Sequence, residues 1–324
     1  MKETYYKVTF AVLYQVIWMS GTKAKNSTRD TIGIIGLGDM GTNIAETLRK
    51  NGFPIAVFNR TPERTKFFMD VEGVHVAEDL KGLVSHVHSH SENPIIWMMV
   101  SPDNPTKEMV VKLSDHVKRG DIVVDGSNSK YQNSIDNYKD LGKIGVSYLD
   151  VGVAGGPNDV GRYVALMVGG DEKAFETARP VFKAIASNSS YQYLGESGAG
   201  HMAKGASNVI FYSIFPIFAE SLELMARQND VKLDIAGAMR IFSESPHIID
   251  AIPRAMYDML RNGSLEGQPP KTPTISKMVE NMRDLAKRSG VSIESINSVL
   301  DGYPRMSDDS KEYMTNAKRI ITGH

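Results

Sequence analysis

A glycine-rich turn near the start of the chain constrains the fold more than any other feature. It consists of Gly36, Leu37, Gly38, Asp39, Met40 and Gly41, in the pattern GxGxxG. The turn follows a buried apolar run, residues 32–35, and precedes a helical segment from Asn43 to Lys50. The first glycine allows a tight turn, the second lets the backbone approach a pyrophosphate, and the third lets the helix pack on the strand. A lone GxGxxG is weak evidence, but in this setting it predicts a dinucleotide-binding domain.

Short apolar runs alternate with helical patterns up to about Gly195. Further strands are predicted at residues 55–58, 95–100, 121–125, 146–149 and 166–168, with a helix at about 106–118. Such strands, separated by helices, predict a parallel sheet covered on both faces. After Gly195 the pattern is helical, at residues 200–227, 232–242, 249–261, 276–289 and 308–321. The predicted fold is therefore α/β, an N-terminal Rossmann-type parallel sheet (30–195) followed by an all-helical domain (196–324).

The first 29 residues are expected to lie outside this fold. Their apolar run, from Val8 to Met19, is shorter than the roughly 20 residues that a bilayer span requires. Gln15 interrupts the run and Glu3 precedes it, which is unfavourable for a secretory signal. We expect translation to begin at Met19, residues 1–29 being an extension that is not native or is disordered.

Composition excludes several classes of function. The formal net charge is −1, so the bulk electrostatics do not attract nucleic acid or an anionic membrane. The chain has no cysteine, which rules out Cys-ligated metals and is compatible with a reducing cytoplasm. His86, His88 and His90 cluster without a carboxylate among them. We interpret residues 85–90 as a solvated connection, with adventitious metal binding as the alternative. We thus expect a cytoplasmic protein without a metal, nucleic acid or membrane partner.

The end of the second strand indicates which dinucleotide is bound. Asn59, Arg60 and Thr61 stand where NAD-specific proteins usually carry an acidic residue for the ribose hydroxyls. A guanidinium and a hydroxyl suit a 2′-phosphate instead, so NADP is predicted and NAD is less favoured. Arg64 follows closely and is a further candidate cation. Val100 and Ser101, after a later strand, and Asn128 complete the predicted cofactor site.

Three further segments carry the candidate reaction chemistry. Residues 125–129 and 150–156 each follow a strand, where open α/β sheets place ligands, although each alone could be only a turn. The third segment is a helix face formed by Lys204, Ser207, Asn208, Phe211 and Tyr212. A lysine on that apolar stripe, buried beside a cofactor, would have a depressed pKa and could act as a base. The alternative is a partly exposed helix with a snorkelling lysine.

In this order, the segments resemble the 6-phosphogluconate dehydrogenase and 3-hydroxyisobutyrate dehydrogenase superfamily, from Thr31 to the C-terminus. Residues 59–61, 125–129, 199–204 and 305–310 are most similar to short-form decarboxylating 6-phosphogluconate dehydrogenases, enzymes of the pentose phosphate pathway. The resemblance implies that Lys204 removes a hydroxyl proton during hydride transfer, after which the keto acid loses CO2. It also implies a homodimer formed through the helical domain. The residues that it places around the substrate are Asn128, Ser129, Ala154, Gly155, Gly156, Ser207, Asn208 and Tyr212.

Several positions depart from the family pattern. Ala154 replaces the serine of a Ser-Gly-Gly loop, and Ser207 replaces a histidine. Phe211 stands where the decarboxylating enzymes have a glutamate that acts as general acid. A phenylalanine cannot donate a proton, and losing one general acid typically costs about 10²–10⁴-fold in rate. The segment at 271–274 and Met278 also differ from the family pattern.

These observations support three hypotheses. The first is an NADP-dependent, 6-phosphogluconate dehydrogenase-like enzyme that acts on a β-hydroxy acid, with Lys204 and Asn208 as catalytic residues. The second is a 3-hydroxyisobutyrate-type dehydrogenase or reductase that uses an unphosphorylated substrate without decarboxylation. The third is a diverged, non-catalytic NADP-binding protein.

Overall fold

The computed structural model describes residues 29–186, 190–228, 233–244 and 283–298. Residues 1–28, the helices predicted at 249–261 and 308–321, and the motif segments at 271–278 and 305–310 lie outside this part of the chain. The described residues fall into two compact units, one up to Asn208 and one from Val209 onward. The candidate site residues up to Asn208 therefore belong to the first unit.

Within the described residues one sheet contains eight strands. They are β1 (Ile32–Ile35), β2 (Ile55–Phe58), β3 (Val74–Val76), β4 (Ile95–Met98), β5 (Ile122–Asp125), β6 (Ser147–Ala154), β7 (Ala165–Gly170) and β8 (Tyr191–Gly195). Their order in the sheet is β3-β2-β1-β4-β5-β6-β7-β8. The first six strands have the order of a dinucleotide-binding Rossmann sheet, which confirms the predicted fold class.

The last two strands run opposite to the other six. β1 to β6 pair in parallel, whereas β6 and β7 pair antiparallel, with Leu149 opposite Gly170 and Ala154 opposite Ala165. β7 and β8 again pair in parallel. The connection between β6 and β7 contains only a 3-10 turn, Pro157–Asp159. Antiparallel neighbours can be joined by such a short connection, whereas parallel neighbours need a crossover.

Among the described residues, five helices lie between strands of the sheet and two follow its last strand. They are α1 (Asp39–Lys50), α2 (Leu80–Ser89), α3 (Asn104–Ser114), α4 (Tyr131–Gly142), α5 (Glu172–Ile185), α6 (Ala199–Ala226) and α7 (Ile235–Glu244). A 3-10 helix spans Pro62–Phe68, and residues 283–289 and 294–298 are also helical. α1 begins at Asp39 rather than at the predicted Asn43, because Gly38, within the glycine turn, is already its N-cap.

The central strands of the sheet are buried on both faces. One cluster of buried side chains joins Ile34 and Trp97 of the sheet to Phe182 of α5. The other joins Ile35 and Ile96 to side chains of α2, α3 and α4. Successive residues of a strand point to opposite faces, so a strand covered on both sides needs a continuous apolar run. This explains why the strands of the sequence lack a polar alternation.

The prediction of a solvated connection at residues 85–90 was wrong. These residues form the end of α2, which begins at an Asp79 cap and buries Val87 against the sheet. The His86 ring stacks between those of His75 and His90, with centroid distances of 3.8 Å and 4.2 Å. Burial, reinforced by the two neighbouring rings, lowers the pKa of His86 to about 4. Within the described ranges no three His, Asp or Glu side chains are arranged to hold a metal ion.

Helix α6 carries an unusually apolar sequence. Among the described helices it is the one whose length and composition would suffice to cross a membrane. In the second unit, however, Leu224 near its end packs with Ala286, Val291 and Ile293 in a small buried cluster. Glu220 accepts hydrogen bonds from the backbone N–H groups of residues 295 and 296, both at 2.8 Å. The end of α6 thus has the contacts of a helix packed against protein.

Candidate functional site

The predicted cofactor and substrate residues lie after the carboxyl ends of neighbouring strands. Gly36 follows β1, Asn59 follows β2, Val100 lies beyond β4 and Asn128 lies beyond β5. β1 and β4 are adjacent, and the chain builds the sheet outward in opposite directions from them. Open α/β sheets bind ligands at such a switch point. The structure therefore brings the N-terminal part of the predicted site to one edge of the sheet.

Two glycines of the turn are required by the fold itself. Gly36 has a φ of +95°, a conformation that side chains disfavour, and its N–H donates to the Phe58 carbonyl at 3.0 Å. A Cβ on Gly36 would overlap the Met99 carbonyl oxygen, and one on Gly41 would overlap the Gly36 carbonyl oxygen. Close backbone packing between the turn, β4 and α1 thus excludes a side chain at both positions.

Gly38 is different, because no protein group excludes a side chain there. A Cβ on Gly38 would meet only Nη1 of Arg64, at an ordinary contact distance of 3.4 Å. Gly38 is also the N-cap of α1, where the first backbone N–H groups of a helix have no partner within the helix. Asp39 and Met40 begin that helix, directly after the Leu37–Gly38 turn. A cationic side chain and helix amides therefore border a surface that is kept open at Gly38, as an anionic ligand requires.

The Asn59 side chain ties the glycine turn to the loop after β2. Its Oδ1 accepts the Leu37 N–H at 2.8 Å, and its Nδ2 donates to the Thr61 carbonyl at 2.9 Å. Arg60 and Thr61 are exposed. Asn59, predicted as a cofactor ligand, thus uses its amide to hold the two loops together, and Arg60 and Thr61 remain accessible at the sheet edge.

The loop after β4 packs directly behind the turn. The Met99 N–H donates to the Ile35 carbonyl at 2.7 Å, and a Val100 methyl carbon lies 3.2 Å from where a Gly36 Cβ would stand. The Ser101 carbonyl accepts a hydrogen bond from the Thr106 hydroxyl at 2.9 Å, while the Ser101 residue itself is exposed. Val100 therefore shapes the turn, and Ser101 is on the accessible side.

The loop after β5 is organised by a buried carboxylate. Asp125 is 0% exposed, and it accepts hydrogen bonds from the Ser127 N–H at 2.9 Å and from the Tyr148 hydroxyl at 2.6 Å. Burial, and next the Asp125 charge, hold the pKa of Tyr148 well above its ordinary value. The Ser129 hydroxyl is also buried, 2.7 Å from that of Ser127. Asn128 lies between them and is exposed. Of the two predicted substrate residues here, Asn128 is accessible and Ser129 is committed to the loop.

The first turn of helix α6 packs against strand β6. The Asp150 carboxylate, 0% exposed, accepts the N–H groups of Gly198 at 2.7 Å and of His201 at 2.8 Å. The buried imidazole Nδ1 of His201 lies 2.7 Å from the Ser134 hydroxyl of α4. The first turn of α6 is thereby fixed to two elements of the same unit.

Lys204 lies one turn further along α6 and packs against the sheet. A Cβ on Gly152 of β6 would overlap the Lys204 Cβ, so the lysine stem lies directly on the strand. Lys204 and Asn208 are half-buried. Burial lowers the pKa of Lys204 below its ordinary value, which is the direction that a general base requires. The hydroxyl of Ser207 donates to the Lys204 carbonyl at 2.8 Å, a local helix contact.

The remaining predicted substrate residues differ in their surroundings. Ala154 ends β6 opposite Ala165, and Gly155 follows with a φ of +137°. The Gly156 N–H donates to Asp159 Oδ2 at 2.6 Å, which fixes this loop. Tyr212, like Phe211, belongs to the second unit and is exposed.

Sequence reasoning named the segments around Asp125 and Asp150 but assigned no role to either carboxylate. Both lie in otherwise apolar strands, Ile122–Asp125 and Ser147–Ala154, where an unpaired charge would be costly. A buried acid in such a strand signals that nearby backbone N–H groups need an acceptor. Nothing in the sequence indicated a role for Gly152, because its contact with Lys204 is visible only in the folded structure.

Comparison with known proteins gives a consistent family. The model of the NAD binding domain of 6-phosphogluconate dehydrogenase matches residues 31–195. A decarboxylating 6-phosphogluconate dehydrogenase of Chlamydia muridarum is 32% identical over 211 residues, 64% of this chain and 44% of the relative. An NAD(+)-dependent decarboxylating 6-phosphogluconate dehydrogenase of Bacillus subtilis is 31% identical over 63% of this chain and 45% of its own. The match thus covers less than half of each relative.

Solved structures extend the likeness of fold over most of the chain. A reductive aminase from Aspergillus terreus, in complex with NADPH and ethyl levulinate, superposes with a TM-score of 0.67. The likeness covers 87% of this chain and 95% of that one, at 17% sequence identity. At this identity the likeness concerns the fold alone.

Proposed function

The chain belongs to the 6-phosphogluconate dehydrogenase family, and from this premise we propose that it is an NADP-dependent oxidoreductase acting on a β-hydroxy acid. The observation that carries the proposal is Lys204, half-buried against Gly152 with a lowered pKa, in the same unit as the glycine turn. A base so placed is what oxidation of a hydroxyl group requires.

The residues at the glycine turn fit a dinucleotide phosphate. Gly38 leaves room for close approach, the start of α1 offers backbone N–H groups, and Arg64 lies beside them. Arg60 and Thr61, both exposed after β2, would hold the 2′-phosphate that distinguishes NADP from NAD. One relative's name specifies NAD(+), so this preference is argued from Arg60 and Thr61 rather than from the family.

In the proposed reaction neutral Lys204 acts first. Its Nζ accepts the proton of the substrate hydroxyl while the carbon that bears this hydroxyl loses a hydride, and the alcohol becomes a ketone. When bound, the nicotinamide supplies the acceptor for that hydride. Asn128 and Asn208 would hold the substrate through their amides. The products are a β-keto acid, a reduced cofactor and a protonated lysine, which returns its proton to water.

We further propose that the enzyme does not catalyse efficient decarboxylation. Loss of CO2 from a β-keto acid leaves an enol that must be protonated at carbon, and Phe211 stands where the family has its acid. Ala154 also lacks the hydroxyl that would bind the substrate carboxylate. Of these two positions, Phe211 favours a reaction without decarboxylation, as in the second candidate, over complete 6-phosphogluconate chemistry.

A substrate panel tests this proposal. The purified protein is incubated with phosphorylated and unphosphorylated β-hydroxy acids, each with NADP and with NAD, and reduced cofactor and CO2 are both measured. We expect reduction with NADP and little CO2. Release of CO2 as fast as the cofactor is reduced would contradict the proposed loss of efficient decarboxylation. If no β-hydroxy acid yields reduced cofactor, the proposal fails and the alternative of a non-catalytic NADP-binding protein is favoured.

Replacing Arg60 should change the cofactor preference. Arg60→Ala removes the proposed partner of the 2′-phosphate, and a hydrogen bond to a charged group contributes about 1.5–3 kcal/mol. We expect the Kd of NADP to rise about 10–100-fold and that of NAD to stay unchanged, as measured by calorimetry. Lys112→Ala, which removes a cation from the last turn of α3, is the control. Equal weakening of both dinucleotides would contradict the assignment.

We propose a homodimer formed through the helical region. In a single chain, consecutive apolar residues of α6 are largely exposed: Val209 (68%), Ile210 (62%), Phe211 (56%) and Tyr212 (65%). Such a continuous apolar surface is typical of a subunit interface. Sedimentation over a range of concentrations would detect the dimer, and a monomer throughout would refute it. We also propose a cytoplasmic location, with which the lack of cysteine agrees.

A further inference from the structure

The contact between the first turns of α6 and the sheet involves one buried aspartate and three glycines at which a side chain would clash. We call Asp150, Gly152, Gly169 and Gly200 the α6 seat. A Cβ on Gly200 would overlap the Asp150 carbonyl oxygen, and one on Gly169 would stand 2.8 Å from the Gly200 nitrogen. The helix backbone therefore lies directly on β6 and β7, closer than any side chain at these positions would allow.

We propose that the α6 seat positions Lys204, an inference that takes the proposed role of this lysine as given. Asp150 fixes the rotation and height of the helix start by holding the Gly198 and His201 N–H groups. Gly152 then receives the stem of Lys204, one helical turn after Gly200. The four are positioning residues, since they act on the reaction through Lys204.

The seat has a chemical consequence as well as a geometric one. The lysine stem that lies on bare backbone at Gly152 is shielded from water, and shielding disfavours the ammonium form. Burial is the cause of the lowered pKa of Lys204. A helix displaced from the sheet would expose the amine to water and raise that pKa toward its ordinary value. Position and basicity of Lys204 are thus linked through one contact.

The variant Gly152→Ala tests the seat without changing a charge. The added Cβ must move α6 outward by about an ångström to reach a carbon–carbon contact of about 3.5 Å. A misplacement of that size can cost about 10²-fold in rate. We expect kcat to fall by about that factor, with the acidic limb of its pH profile moved to higher pH and the Kd of NADP unchanged. The limb moves upward because only neutral Lys204 is active.

A second glycine on the same helix provides the matched control. Gly205 follows Lys204, is exposed, and has no heavy atom within 4 Å of where its Cβ would stand. Gly205→Ala should leave kcat and its pH profile as in the wild type. If Gly152→Ala does not fold, Gly169→Ala is the second variant that tests the same contact. Its Cβ would crowd the Asp150 carboxylate and the Gly200 N–H, both at 2.8 Å, and so lift the same turn.

Chemical labelling separates this inference from the proposed function. Acetylation of Lys204 by acetic anhydride at graded pH, followed by peptide mass spectrometry, measures the amine pKa without any turnover. We expect the midpoint to rise in Gly152→Ala or Gly169→Ala and to stay in Gly205→Ala. A folded seat variant with wild-type kcat and midpoint would overturn the inference, even if the enzyme is active. If the wild type oxidises no β-hydroxy acid, the proposed function fails, and the labelling still decides whether the seat sets the state of Lys204.

Discussion

Replacing Lys204 by alanine should lower kcat by about 10²–10⁴-fold, the range that a general base typically contributes. The Kd of NADP should not change, because Gly36, Gly38 and Arg60 lie on other segments of the first unit. The loss should reside in the chemical step, so it should appear equally in kcat and kcat/KM. Steady-state kinetics with the best substrate of the panel, together with calorimetric binding of NADP, measure both quantities.

Two further measurements make the Lys204 result specific. Lys173→Ala removes an exposed lysine of α5 and should leave kcat unchanged. Small primary amines added to Lys204→Ala should restore part of the activity, because the variant leaves space where the side chain was. Turnover that survives the loss of Lys204 would exclude it as the base.

The glycines of the turn should separate folding from cofactor binding. Gly41→Ala places a Cβ against the Gly36 carbonyl oxygen, and overpacking of this kind typically costs about 1–3 kcal/mol. We expect the free energy of unfolding to fall by that amount, although alanine in a helix is otherwise favoured over glycine by about 1 kcal/mol. Chemical denaturation without cofactor measures the change.

Gly38→Ala should weaken cofactor binding more than it weakens folding. Its Cβ meets no protein atom closer than 3.4 Å, so the free energy of unfolding should fall only by the roughly 1 kcal/mol that alanine costs relative to glycine at an N-cap. The same methyl group would occupy the surface that the pyrophosphate approaches, and we expect the Kd of NADP to rise about 10–100-fold. An alanine at 38 that binds NADP normally would mean that the dinucleotide phosphates lie elsewhere.

The sequence predicted the elements that carry a strong local pattern. β1, β2 and the glycine turn were located because buried parallel strands are continuous apolar runs, and because glycines at fixed spacing have one structural meaning. The end of α2 was not predicted as a helix, because its three histidines made the segment look polar. Its apolar residues, among them Val87, nevertheless lie on one helix face. The reversed direction of β7 and β8 depends on long-range pairing, which local periodicity does not encode.

The sequence predicted which residues form the candidate site better than it predicted what each side chain contacts. Lys204 stood out because a cation on an apolar helix stripe is unusual, and its lowered pKa agrees with that argument. Asn59 and Ser129 were predicted as ligands from their neighbours in the motifs, yet their side chains accept hydrogen bonds from backbone N–H groups of neighbouring loops, at Leu37 and Asp103. Pairing between a side chain and a distant backbone group is decided by tertiary structure. Sequence alone therefore could not show which of these side chains hydrogen-bond to the protein backbone and which are accessible to a ligand.

The double hydrogen bond of Asn59 also limits how this protein could exchange one cofactor for another. An aspartate after β2 is the common solution for binding the ribose of NAD. At position 59, an aspartate could still accept the Leu37 N–H, but it would face the Thr61 carbonyl with a second acceptor in place of a donor. An aspartate introduced there to bind NAD would therefore weaken the contact between the glycine turn and the loop after β2. A change of cofactor is more accessible through residue 60 or 61, where the side chain can be altered without disturbing the turn.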